Sequence, residues 1–194
     1  ALNISNLKEY AIKEIKIPSN NEYDKITCEL NSLSKLDQKF LVKYSEFFKV
    51  NNYCYVVMKF CSGINLCNLI KEAKNNNQTL NENFIWEIFI KICTGIGYLN
   101  KNNIIHGNLK ASNIFISNDG NIKLGNFGFL KVLNKLNDEY DKNIDNLSLG
   151  CILYELCKLD YYDENIISIK DKIFKENYLI NSKIYSENIN KTLK

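Results

Sequence analysis

His106-Gly107-Asn108-Leu109-Lys110-Ala111-Ser112-Asn113, followed by Lys123-Leu124-Gly125-Asn126-Phe127-Gly128, is the stretch on which the fold turns. It combines one histidine, two lysines and three asparagines around two short apolar runs, Ile114 to Ile116 and Ile122 to Leu124. Between those runs lies Asn118-Asp119-Gly120, whose residue types favour tight turns, so the runs read as short strands. The chain has no second histidine. An imidazole titrates near neutrality, so His106 invites a reading as a general base.

Working outward, Tyr10 to Ile17 alternates in the manner of a strand, and Pro18-Ser19-Asn20-Asn21 ends it. The apolar spacing predicts a helix from about Glu22 to Leu36, with Ile26, Leu30, Leu33 and Leu36 on its buried stripe. Val42 to Lys49 and Tyr53 to Phe60 read as strands joined at Asn51-Asn52, because Asn tolerates positive φ. Beyond Gly63 the pattern becomes helical, from Leu66 to Lys74 and then from Glu82 to Asn102, where Phe84, Ile88, Ile92, Ile96 and Leu99 keep the period. A strongly apolar helix is predicted from Ile144 to Leu156, and two amphipathic pieces from Asp163 onward.

A chain of 194 residues with 45% hydrophobic content can build a real core. Its net charge of +3, from 25 basic and 22 acidic side chains, gives no strong field, which argues against nucleic acid or a membrane surface as partner. Every basic side chain is Lys, and Pro occurs only at Pro18, a composition expected of an A+T-rich genome. The seven cysteines form no Cys-x-x-Cys pair, so they read as small buried apolar residues of a reducing cytosol, and a cytoplasmic location is expected. No stretch approaches the ~18 apolar residues that span a bilayer. A start at Ala1 rather than Met is expected of a fragment or of a gene model lacking its first exon.

These motifs together resemble the eukaryotic protein kinases, and most of all the NIMA-related serine/threonine kinases. The matching blocks are Tyr-Ala-Ile-Lys at 10 to 13, Val-Val-Met-Lys-Phe-Cys-Ser-Gly at 56 to 63, and Ile-Trp-Glu-Ile-Phe-Ile-Lys-Ile-Cys at 85 to 93. The two opening motifs follow, with Asn108 and Asn126 standing 18 residues apart, and then Asp145 to Leu156. The resemblance implies an α+β, two-lobed kinase-like fold. Residues 1–59 would form a partial small lobe without its glycine-rich loop, and 60–194 a large lobe with a shortened activation segment, ending early.

In that family Lys13 stands where a lysine contacts nucleotide phosphates, and Glu29 where a glutamate pairs with it. Met58 falls at the gatekeeper, Lys59, Phe60 and Cys61 at the hinge, and Ala11 and Phe115 above and below the adenine. His106 falls not on a base but on a packing residue, in a column with Leu33, Tyr44 and Phe127 that is anchored on Asp145. Lys110, which contacts the transferred phosphate, and Asn113, a metal ligand, are kept.

The departures bear on chemistry. Asn108 replaces the aspartate that accepts the substrate proton, a contribution of ~10²–10⁴-fold. Asn126 replaces the aspartate that chelates magnesium, leaving Asn113 and Asn126 as a weak metal pair at best. Gly107 replaces the arginine that receives an activation-loop phosphate, and no Ala-Pro-Glu platform lies between Asn126 and Asp145. The expectation is a pseudokinase that takes ATP with weak or no Mg²⁺ and serves as a scaffold or allosteric partner for another protein, such as an active kinase. The alternatives are a weakly active serine/threonine kinase, or an incomplete gene model of one.

Overall fold

The computed structural model describes residues 1–17, 20–127, 143–159 and 185–192, apart from the side chains of 20–22, 25, 29, 143, 187 and 190. Three strands open the chain: β1 (Tyr10–Lys16), β2 (Tyr44–Val50) and β3 (Tyr53–Lys59), ordered β1-β3-β2 and antiparallel throughout. Alternation in β1 buries Ile15 and sets Ala11 and Lys13 on the same face, while Ile12, Glu14 and Lys16 point outward. Asn51 makes the β2-β3 turn at φ +52°, the conformation that Asn accepts more readily than most residues.

Helix α1 (Asn20–Ser34) starts and stops two residues before the predicted limits, and Ile26, Leu30, Leu33 and Leu36 are all buried as predicted. Strand β2 begins at Tyr44 rather than Val42, for a specific reason. Residues 40–42 spend their backbone groups elsewhere: Leu124 N donates to Phe40 O (2.7 Å), and Val42 N donates to Leu124 O (2.8 Å). This parallel bridge at Leu41 and Leu124 ties the first sheet's entry to a second sheet.

That second sheet has the order β4-β5-β6, from β4 (Gly63–Asn65), β5 (Ile114–Ser117) and β6 (Ile122–Leu124). Three residues are too few for alternation to reveal β4. Gly63 lets it pack, since at φ +118° a Cβ would meet Ile116 O at 2.1 Å.

Helices α2 (Leu66–Asn75) and α3 (Glu82–Lys101) start on asparagine caps, with Asn65 accepting from Asn68 N (2.8 Å) and Asn81 from Asn83 N (2.9 Å). Beyond their ends Asn77 and Asn103 sit at φ +52° and +56°, where glycine is usual. The buried stripe of α3 is Ile85, Ile88, Ile92, Ile96 and Leu99. Phe84, predicted on that stripe, is exposed instead. At 100° per residue it stands about 80° from Ile92, whereas Ile85 lies within about 20° of it.

Helix α4 (Asn143–Lys158) outlasts its predicted range by one residue at the start and two at the end, and α5 (Glu187–Thr192) closes the described chain. The predicted helical pieces from Asp163 fall largely on 160–184, outside the described residues. One apolar cluster takes in both sheets and α1 to α5. All seven cysteines are free thiols; four are buried, Cys61 and Cys93 are half-buried, and Cys28 is exposed, contrary to the uniform burial expected. No described helix is long and apolar enough to cross a membrane.

Candidate functional site

The β5-β6 hairpin builds the centre of the site. A 3-10 turn, Ala111–Asn113, leads into β5, with Asn113 N donating to Lys110 O (2.8 Å). Because Ile114 pairs with Leu124, the hairpin returns Gly125 opposite Asn113, and Gly125 N donates to Asn113 O (2.9 Å). Asn113 and Asn126, 13 positions apart in the chain, are thereby brought side by side. Asn126 adopts φ +58°, which suits Asn and Asp better than other side chains.

Three side-chain hydrogen bonds then run in one direction. Lys13 Nζ donates to Asn126 Oδ1 (3.3 Å), Asn126 Nδ2 donates to Asn113 Oδ1 (2.9 Å), and Asn113 Nδ2 donates to Asn108 O (2.6 Å). Each amide is satisfied at both ends, so the series fixes which way each points. Burial pulls the Lys13 ammonium below its ordinary pKa. The Asn108 side chain itself is exposed, and Lys110 is half-buried beside the 3-10 turn. The Glu29 side chain lies outside the described residues, so the predicted pairing with Lys13 does too.

A second series packs behind the first. Leu33, Tyr44, Phe127 and His106 are all buried. The Tyr44 and Phe127 rings meet edge-on with centroids 5.0 Å apart, and His106 meets Phe127 at 6.2 Å and 64°. Tyr44 OH donates to Phe127 O (3.2 Å). At the base, Asp145 takes His106 N on Oδ2 (2.8 Å) and Gly107 N on Oδ1 (2.9 Å). Gly107 bends there at φ +70°, a conformation natural to glycine.

His106 makes a poor base. Its Nδ1 accepts from Asn108 N (3.3 Å), and its Nε2 is buried with no hydrogen-bond partner among the described residues. Complete burial pushes its pKa down to about 4, so the ring is neutral at physiological pH. Burial also raises the Asp145 carboxyl, against which the Gly107 and His106 amides act.

Between the sheets opens a cavity of about 390 Å³. Ala11, Lys13, Met58, Lys59, Phe60, Cys61, Phe115 and Asn126 line it, which brings together all the residues predicted for a nucleotide pocket except Glu29. Ala11 and Met58 face each other in register across β1 and β3. Ile12, Val42 and Gly125 line the cavity too, and sequence reasoning missed all three. Ile12 sits on the outward side of the alternation, and Val42 reads as a strand residue. Gly125 contributes an absence: a Cβ there would meet the Phe115 ring at 2.7 Å and Val42 at 3.4 Å, so the missing methyl is what admits that ring.

Comparison with known proteins agrees with this geometry. The family model described as "Protein kinase domain" matches residues 1–138. Similar curated relatives include the mouse serine/threonine-protein kinase Nek3, 31% identical over 81% of this chain and 34% of its own length. Human serine/threonine-protein kinase Nek11 is 32% identical over 86% of this chain and 29% of its own, and the probable serine/threonine-protein kinase nek3 of Dictyostelium discoideum is 34% identical over 77% and 16%. The chain thus spans between 16% and 34% of the length of these three relatives. With a matched family model over 1–138 and relatives at about 30% identity, it belongs to the protein kinase family, on the NIMA-related branch.

Proposed function

We propose that this chain is a pseudokinase: a kinase-shaped domain that takes a nucleotide between its sheets and acts on a protein partner, such as an active kinase, as scaffold or allosteric surface. The observation that carries this reading is the pair of amides at 108 and 126. Asn108 can accept a hydrogen bond but cannot take up a substrate's proton at neutral pH, and that transfer is worth ~10²–10⁴-fold where a carboxylate performs it. Asn126 supplies a neutral amide where family members hold a carboxylate, and it is already paired with Asn113 and Lys13.

The donor set does not fit magnesium. A hard dication prefers charged oxygens in octahedral array, and the facing groups here are an amide N–H and an amide oxygen in contact at 2.9 Å. Adenine-sized space with apolar faces from Ala11, Met58 and Phe115, and an ammonium from Lys13, supports nucleotide binding without magnesium. Retention of Lys110 and Asn113 is what favours the second reading, a weakly active serine/threonine kinase. A thermal-shift titration of the full chain separates pocket from chemistry. Stabilisation follows RT ln(1 + [L]/Kd), about 2.7 kcal/mol at roughly 100 times Kd, and is expected with ATP while phosphate transfer to serine and threonine peptides stays at background. Transfer above background would support the second reading, and no shift would remove nucleotide binding.

A further inference from the structure

The direction of the hydrogen bonds through Asn126 has a consequence for the ionic form of the ligand. A metal held between positions 113 and 126 needs an oxygen from each. In this chain Asn126 turns its Nδ2 toward Asn113 Oδ1 at 2.9 Å and its Oδ1 toward Lys13 Nζ at 3.3 Å. Asn113 cannot reverse to compensate, since its Nδ2 is committed to Asn108 O at 2.6 Å. Asn113 is buried and Asn108 O belongs to the loop backbone, so the series is anchored at that end.

Admitting a dication would require Asn126 to rotate about its last torsion. Its N–H groups would then face the Lys13 ammonium, donor against donor, and the contact with Asn113 would be lost. An amide whose two ends are both satisfied resists that exchange. The amide N–H occupies the place of the metal and satisfies Asn113 in its stead.

Resting on the nucleotide reading above, we infer that this site takes a nucleoside polyphosphate as the free anion, and that Mg²⁺ opposes binding instead of assisting it. The positive charge for the phosphates comes from lysines fixed to the frame, Lys13 in the cavity wall and Lys110 beside the 3-10 turn. A metal complex presents fewer negative charges to them and brings a bulky hydrated ion toward a place already filled. Asn126 thus represents a change in ligand form, and not only a loss of catalysis.

The test is calorimetric titration of ATP into the full chain, once in EDTA and once with Mg²⁺ in excess over ATP, with adenosine as the phosphate-free control. ATP is expected to bind about tenfold more weakly with Mg²⁺, the scale of one charge-assisted hydrogen bond, while adenosine binds alike in both. In Asn126→Asp the order should reverse, because a carboxylate cannot donate to Asn113 and gives the dication an anionic oxygen. Wild-type binding that is equal or tighter with Mg²⁺ would overturn the inference, and adenosine binding would leave the pocket itself standing. Absence of binding by both ligands in both buffers would overturn the inference and the nucleotide reading together. Wild-type arms carry the decision if Asn126→Asp does not fold.

Discussion

Asn126 and Phe127 are neighbours in the chain, yet they belong to two series of different chemistry, one polar and one aromatic. Phe127 meets Tyr44 and His106 ring to ring, and with Leu33 all four are buried. Asn126 joins Lys13, Asn113 and the Asn108 backbone carbonyl in a polar series, and it stands where the resemblance to the family places a carboxylate. The column is held by burial and by two amides on Asp145, so any change there is felt as lost stability. At position 126 Asp and Asn have nearly the same shape but differ in charge and in donor capacity, an oxygen against an NH2 group, so the fold tolerates the exchange while the chemistry does not.

That contrast can be broken first at Phe127, which is fully buried at the meeting of both ring contacts. Phe127→Ala should cost about 3–5 kcal/mol in chemical denaturation, by lost transfer energy and a residual cavity. Asp145→Ala should cost roughly 3 kcal/mol in the same measurement, because it leaves His106 N and Gly107 N without their acceptor. Either variant retaining full stability would mean that the column is not what holds the loop.

Acid offers a third approach. The unfolded chain protonates its histidine near pH 6.5, whereas the buried ring waits until about pH 4. Between those values the unfolded state binds more protons, so stability falls as pH drops through that window, by about 3 kcal/mol at most for this residue. Asp145, raised by burial, acts in the opposite sense, since its folded form takes up a proton first on acidification. Comparing wild type with His106→Phe across pH 4 to 7 isolates the histidine, and the variant's profile should be the flatter. Equal slopes would deny the ring its neutral, buried state.

Smaller effects sharpen the comparison. Gly107→Arg, which restores the family residue, should lose about 1–2 kcal/mol because φ +70° is strained for a side chain bearing Cβ. Asn126→Asp should move stability by less than about 1 kcal/mol while it changes the response to Mg²⁺, since one accepting oxygen is kept.

The sequence motifs picked out the buried column and most of the residues from Ala11 to Asn126 that line the cavity, because in each case a side chain carries the signal. What escaped them was carried by backbone or by absence. Val42 reads as strand but donates its N–H to Leu124 O, and apolar spacing says nothing about which sheet receives an N–H. Gly125 shapes the cavity by lacking a methyl group. The pairing of Asn126 with Asn113 also lay beyond reach, since residue identity gives two amides and only geometry gives the direction in which they point.

Phosphate transfer tests the central claim most directly. With labelled ATP and Mg²⁺, the full chain and its Lys13→Met variant should incorporate the same background label, into themselves and into serine and threonine peptides. Incorporation by the wild type that Lys13→Met abolishes would contradict the account, since it would mean that the amides at 108 and 126 still support the family's reaction.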